Sequence, residues 1–198
     1  MTDIIPDNTN PIANTIGLLF HPFVVAVVTL PLVLYPLPLT EVVTWTLVIA
    51  ALIIGPVAVS VIFLQKRQKY TYQRRARGGI YLVGWTSVAV SLLSVILLDG
   101  PHILRACMAA LLVWVPLQAA INARITKVST HVAVVTGCVT ALFMLGILNQ
   151  PVSWIAAVFV IAATAWARIT TRNHTLTQVA LGVFTGMLPV LVTFPVLV

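Results

Sequence analysis

A membrane-crossing helix needs about 20 mainly apolar residues. This chain offers seven such stretches, at about 15–36, 42–64, 79–98, 103–122, 128–148, 151–167 and 175–198. Together they occupy about three quarters of the 198 residues, leaving no room for a separate soluble domain. The expected fold is therefore all-α: a polytopic membrane helix bundle of about seven transmembrane helices. Residues 15–198 are read as one domain, behind an N-terminal tail of residues 1–14. Pro22, Pro31 and Pro36 predict a bent first helix. The sixth segment is short, and Pro189 and Pro195 interrupt the seventh. The first segment does not read as a signal peptide, because Asp3 and Asp7 precede it and no Lys or Arg does.

Charge restricts the chemistry further. Only 8% of residues are charged, against roughly 25% in a soluble domain. Nucleic-acid binding is excluded as the main role, because the net charge of +7 sits in a chain that is 60% hydrophobic. Such an excess speaks of membrane orientation and anionic head groups. The carboxylates are Asp3, Asp7, Glu41 and Asp99, and they form no cluster. A site that holds phosphate through magnesium wants grouped oxygen ligands. Phosphate handling here must fall to Arg, Lys, His and backbone N–H groups, with no metal or other cofactor. Cys107 and Cys138 lie in apolar runs with no metal-ligand spacing, and read as small buried hydrophobes.

The connections between segments alternate. Those at 37–41, 99–102 and 149–150 are short and carry no Lys or Arg, with Arg105 just beyond. The others hold the remaining ten of the eleven Lys and Arg. The positive-inside rule places these loops and the N-terminus in the cytoplasm of a multi-pass cell-membrane protein, with the C-terminus opposite. Trp45, Trp154, Tyr35 and Tyr81 near segment ends suit interfacial anchoring as well as ordinary packing.

Three polar clusters fall on the basic side: residues 66–77, residues 127–131, and residues 166–178. Two crossings separate each from the next, so all three return to one face. Gathered there, they would set several cations, the Ser129 hydroxyl at a helix start and two histidines around one spot. A helix N-terminus suits an anion, and Arg grips phosphate oxygens in pairs. One His could attack phosphorus while the other protonates the leaving oxygen. His21 and His102 fall outside the three clusters and read as structural, and Gly182 and Gly186 suit close helix packing.

The second and third clusters resemble signatures of the type 2 phosphatidic acid phosphatase and vanadium haloperoxidase superfamily. Those read Pro-Ser-Gly-His and Ser-Arg-x5-His-x3-Asp. Here the chain reads Val128-Ser129-Thr130-His131, then Ala167-Arg168, five residues, His174, three residues, Gln178. The first signature, Lys-x6-Arg-Pro, has no clean copy: Arg67 and Arg74 have its spacing, while Lys69 and Arg77 miss it by one.

The resemblance covers about residues 60–190 and implies a core of about six helices like that of the membrane lipid phosphatases. It implies His174 as the nucleophile forming a phosphohistidine, and His131 as the general acid. Arg168, Ser129 and Thr130 would hold the phosphoryl oxygens, with Lys69 and Arg74 or Arg77 completing the cradle. The implied substrate is a phosphorylated membrane lipid such as phosphatidic acid, phosphatidylglycerol phosphate or a polyprenyl diphosphate.

Two departures bear on activity. Gln178 stands where the family has the aspartate behind the nucleophilic histidine. Four residues apart on a helix, His174 and Gln178 share a face, so the amide oxygen can accept the Nδ1 proton without supplying charge. Thr130 replaces a glycine that lets backbone approach phosphate closely. The alternative reading is therefore a catalytically weak relative that binds an anionic lipid or serves as an accessory subunit of a membrane complex or homo-oligomer. A transporter or channel is the third class, and no intramembrane charge pair marks a pathway for one.

Overall fold

The computed structural model describes residues 9–67 and 77–198. Among these residues all regular structure is helical. The helices are α1 (Pro11–Leu19), α2 (Pro22–Leu34), α3 (Leu39–Ile49), α4 (Gly55–Lys66), α5 (Arg77–Leu97), α6 (His102–Arg124), α7 (Thr130–Met144), α8 (Pro151–Thr170) and α9 (Leu176–Leu197). A π-helical turn, Ala50–Ile54, joins α3 to α4, so Leu39–Lys66 runs as one helix of 28 residues. Its cause is local. Pro56 has no N–H for the Leu52 carbonyl, and the Gly55 N–H just before it reaches back to Ala50 instead.

The membrane character expected from the sequence is present. Among the described residues, five helices are long and apolar enough to cross a bilayer, and α1 with α2 makes a sixth if the pair, bent by 42°, is one span. Only 6% of the most apolar window of Leu39–Lys66 is buried within the protein. A helix apolar on every side yet so little covered belongs against lipid. The outward faces of α8, with Val152, Ile155, Val158 and Phe159, have the same character.

Several boundaries differ from the sequence reading. Helix begins at Pro11, inside the stretch read as tail, because Asn10 caps Ala13 and Pro11 fits the first helical position. The sixth segment extends to 20 residues, Pro151–Thr170, longer than its apolar run suggested. The fifth shrinks to 15 residues, short of a full crossing by length. Gly146, at φ 69, ends it: the Ile147 N–H turns back to the Leu142 carbonyl, a closure that wants a left-handed residue. Trp45 packs against Gly100 and Tyr81 lines an internal cavity, which fits ordinary packing for both. Tyr35 and Trp154 remain exposed near helix ends.

Two apolar cores hold the bundle. Leu34, Val42, Ile49, Val88, Val95, Leu104 and Met108 join α2, α3, α5 and α6. Ala106, Ala110, Ala141, Val190 and Phe194 join α6, α7 and α9. The tightest crossing is α7 on α9. A Cβ at Gly182 would lie 2.9 Å from the Ser129 carbonyl oxygen, and one at Gly186 would collide with that of Ala133. This crossing carries the start of α7 onto the start of α9 and so builds the site.

Candidate functional site

The loop after α8 and the first turn of α9 fold by their own hydrogen bonds. Arg168 O accepts from the N–H groups of Asn173 and His174, both at 3.1 Å, folding the chain back. Thr175 then caps α9: its hydroxyl accepts the Gln178 N–H at 3.4 Å, and the Gln178 Oε1 accepts the Thr175 N–H at 3.3 Å. The same Oε1 lies 3.0 Å from His174 Nδ1. Gln178 Nε2 donates to Thr126 Oγ1 at 3.1 Å, which agrees with that amide orientation. An oxygen that only accepts requires the proton on His174 Nδ1, leaving Nε2 with its lone pair.

Three further links tie this unit to its neighbours. The Ser129 N–H donates to Gln178 O at 3.1 Å. Arg77, opening α5, donates to Val128 O at 2.9 Å. Gln118 Nε2 donates to Thr130 Oγ1 at 3.0 Å. Residues far apart in sequence thus meet at the ends of α5, α6, α7 and α8 and the start of α9.

Some of them line one end of a cavity of about 490 Å³. Arg77, Thr130, His131, Arg168, Asn173, His174 and His21 line that end. The rest of the wall is apolar and runs between the helices to Leu111, Val190 and Phe194. No carboxylate among the described residues lines the cavity. Glu41 starts α3, and Asp99 pairs with Arg105 at 3.1 Å before α6, away from the site. Asp3 and Asp7 lie outside the described residues.

Cations gathered in a low-dielectric wall without a carboxylate attract an anion. His174 is held neutral: burial, then the Arg77 and Arg168 charges, push it from the usual histidine range down to about 2, against the opposing Gln178 hydrogen bond.

The sequence-derived site residues divide into four groups. His131, His174, Arg168, Thr130 and Arg77 share the cavity. Gln178 is buried behind His174 as its hydrogen-bond partner. Ser129 does not reach the cavity: it precedes α7 in extended backbone, its side chain makes no capping bond, and its Oγ is buried without a partner. The crossing of α9 over the Ser129 carbonyl closes it in. Lys69 and Arg74 lie outside the described residues.

His21 corrects the sequence reading. Instead of standing apart, it lines the cavity, with its ring 5.2 Å from that of His131 and nearly perpendicular to it, at 87°. Asn173 and the fully buried Gln118 also went unread. One signal was available for His21: it is an ionisable group between apolar stretches, and such groups point to function by default.

Comparison with protein-family models, curated proteins and solved structures gives no match for this chain.

Proposed function

We propose that this chain is an integral membrane lipid-phosphate phosphatase of the type 2 phosphatidic acid phosphatase kind, working through a phosphohistidine. One observation carries the reading: the unprotonated Nε2 form of His174, set by Gln178, shares a cavity with His131, Arg77 and Arg168 whose far part is apolar. The arginines and the start of α7 would take the phosphate, and the apolar wall would take the tail.

The chemistry follows from those positions. His174 Nε2 forms a bond to phosphorus as the bond to the lipid oxygen breaks, and protonated His131 gives that oxygen its proton. The incoming phosphate anion favours the proton on His131 beforehand. Neutral His131 then takes a proton from water as the water oxygen attacks phosphorus. The N–P bond breaks and its electron pair returns to His174, with Arg168 and Arg77 balancing charge on the phosphoryl oxygens.

A second reading rests on Gln178. In a Ser-His-Asp triad, neutralising the aspartate reduces turnover roughly 10⁴-fold, partly through the wrong tautomer. Here the tautomer is right and only the negative charge is missing. A slow or inactive relative that binds an anionic lipid, or serves within a membrane complex or homo-oligomer, fits that deficit and the enclosed Ser129.

Phosphate release from phosphatidic acid, phosphatidylglycerol phosphate and farnesyl diphosphate, in detergent with EDTA, separates the two. The phosphatase reading expects release that His174→Ala abolishes and Gln178→Asp raises. No release by the wild type, with a gain only in Gln178→Asp, favours the inactive relative. The cell membrane as location and the cytoplasmic site belong to the same proposal, supported by the apolar helices and by Arg77, Lys127, Arg168 and Arg172 at one end.

A further inference from the structure

We infer that His21 is a positioning residue for His131, a role that rests on the phosphatase reading of the site. The two reactive imidazoles are held in different ways. His174 is fixed by Gln178. His131 has no hydrogen bond from its ring to a described residue, and its close ring contact is with His21, 5.2 Å away at 87°.

His21 is itself tightly held. Its Nδ1 accepts the Phe23 N–H at 3.3 Å, capping α2, and this leaves the ring proton on Nε2. The Phe23 ring packs edge-on against it at 5.1 Å. A ring pinned by its own helix start can hold a neighbouring ring that lacks other ties.

The place is also the one where orientation matters. A second hollow of about 520 Å³ lies under α1, lined by Asn14 and Gly17 among others. His21, His131, Arg168 and Asn173 line both this hollow and the apolar cavity, while His174 lines the cavity alone. His131 thus stands where the apolar cavity and the adjoining hollow meet. The leaving lipid oxygen and the attacking water occupy the same position opposite His174 Nε2, so one orientation of the His131 ring serves first as acid and then as base. His21 keeps the imidazole in that one orientation.

Capping and ring contact can be separated. His21→Asn keeps a strong cap and removes the ring, while His21→Phe keeps a ring and removes the cap. The full-length chain in detergent is assayed for phosphate release from phosphatidic acid, phosphatidylglycerol phosphate and farnesyl diphosphate. The expected result for His21→Asn is an unchanged melting temperature, a kcat lower by on the order of 10²-fold, and a KM within about twofold of wild type. His21→Phe is expected to recover most of that kcat. Wild-type kcat in His21→Asn, or a His21→Phe variant no faster than His21→Asn, overturns the inference.

Absence of release from the wild type counts against the phosphatase reading alone. Positioning is then read from the ¹⁵N-histidine resonances of His131 as inorganic phosphate is added. A shift in wild type and His21→Phe, lost in His21→Asn, supports the role; the same response in all three, or none in any, overturns it.

Discussion

His174 shows how a neutral neighbour can set a tautomer without setting a charge. The Gln178 oxygen receives both His174 Nδ1–H and the Thr175 N–H, so the amide cannot turn over without losing both bonds. This local geometry has a consequence for stability. In the unfolded chain His174 takes up a proton below about pH 6.5. In the folded chain burial and the arginines delay that uptake until about pH 2. The unfolded state therefore binds more protons between those values, and stability present above about pH 6.5 is lost as pH falls through the window. Melting of the detergent-solubilised protein at pH 7 and pH 4 tests this. The drop is expected to be smaller in His174→Gln, and an equal drop would assign the acid sensitivity elsewhere.

The spacing of Arg168, His174 and Gln178 was legible in sequence because all three belong to one local turn and helix start, where hydrogen bonds span few residues. The burial of Ser129 was not, since it depends on α9 lying across the start of α7.

Among the elements, the α7–α9 crossing is the joint on which the site depends. Gly182 and Gly186 let the two backbones meet, and Gly137 answers from α7, where a Cβ would stand 3.1 Å from the Gly186 carbonyl oxygen. In Gly186→Ala the new methyl meets backbone at Ala133, which cannot move as a side chain would. Overpacking of this kind costs about 1–3 kcal/mol, so the variant is expected to melt lower and to lose activity as α9 shifts. Gly84→Ala in the middle of α5 is the control: its Cβ meets Val57 Cγ2 at an ordinary 3.9 Å. Alanine there is expected to leave melting unchanged or raise it, through better helix propensity, by up to about 1 kcal/mol. Equal losses in both variants would contradict the special closeness of the crossing. The pair of glycines four apart was readable as a packing face, because that spacing puts them on one side of a helix. Which helix they meet was not readable, since a small-residue face accepts any neighbour of suitable shape.

Across the whole molecule, five helices among the described residues, Leu39–Lys66, α5, α6, α8 and α9, are long and apolar enough to cross a bilayer, and α1 with α2 adds a sixth if the bent pair is one span. Short as it is, α7 runs from the site to the start of α8: Ser129 before it lies against Gln178, and Phe143 near its end meets Trp154. The last helix, α9, starts at the site with Gln178 against His174, so Leu197 at its other end lies away from Arg77 and Arg168. With the basic end in the cytoplasm, a reporter fused after Val198 is expected outside it, and a cytoplasmic signal there would overturn the proposed orientation. Apolar length and loop charge were enough to announce a membrane bundle with one basic face, because water and lipid sort residues by polarity whatever their partners. The meeting of His21 with His131, the enclosure of Ser129 and the continuity of a charged pocket with an apolar cavity depended instead on helix packing. Contacts between distant segments follow from the shapes of packed side chains, and no periodicity along a single segment encodes them.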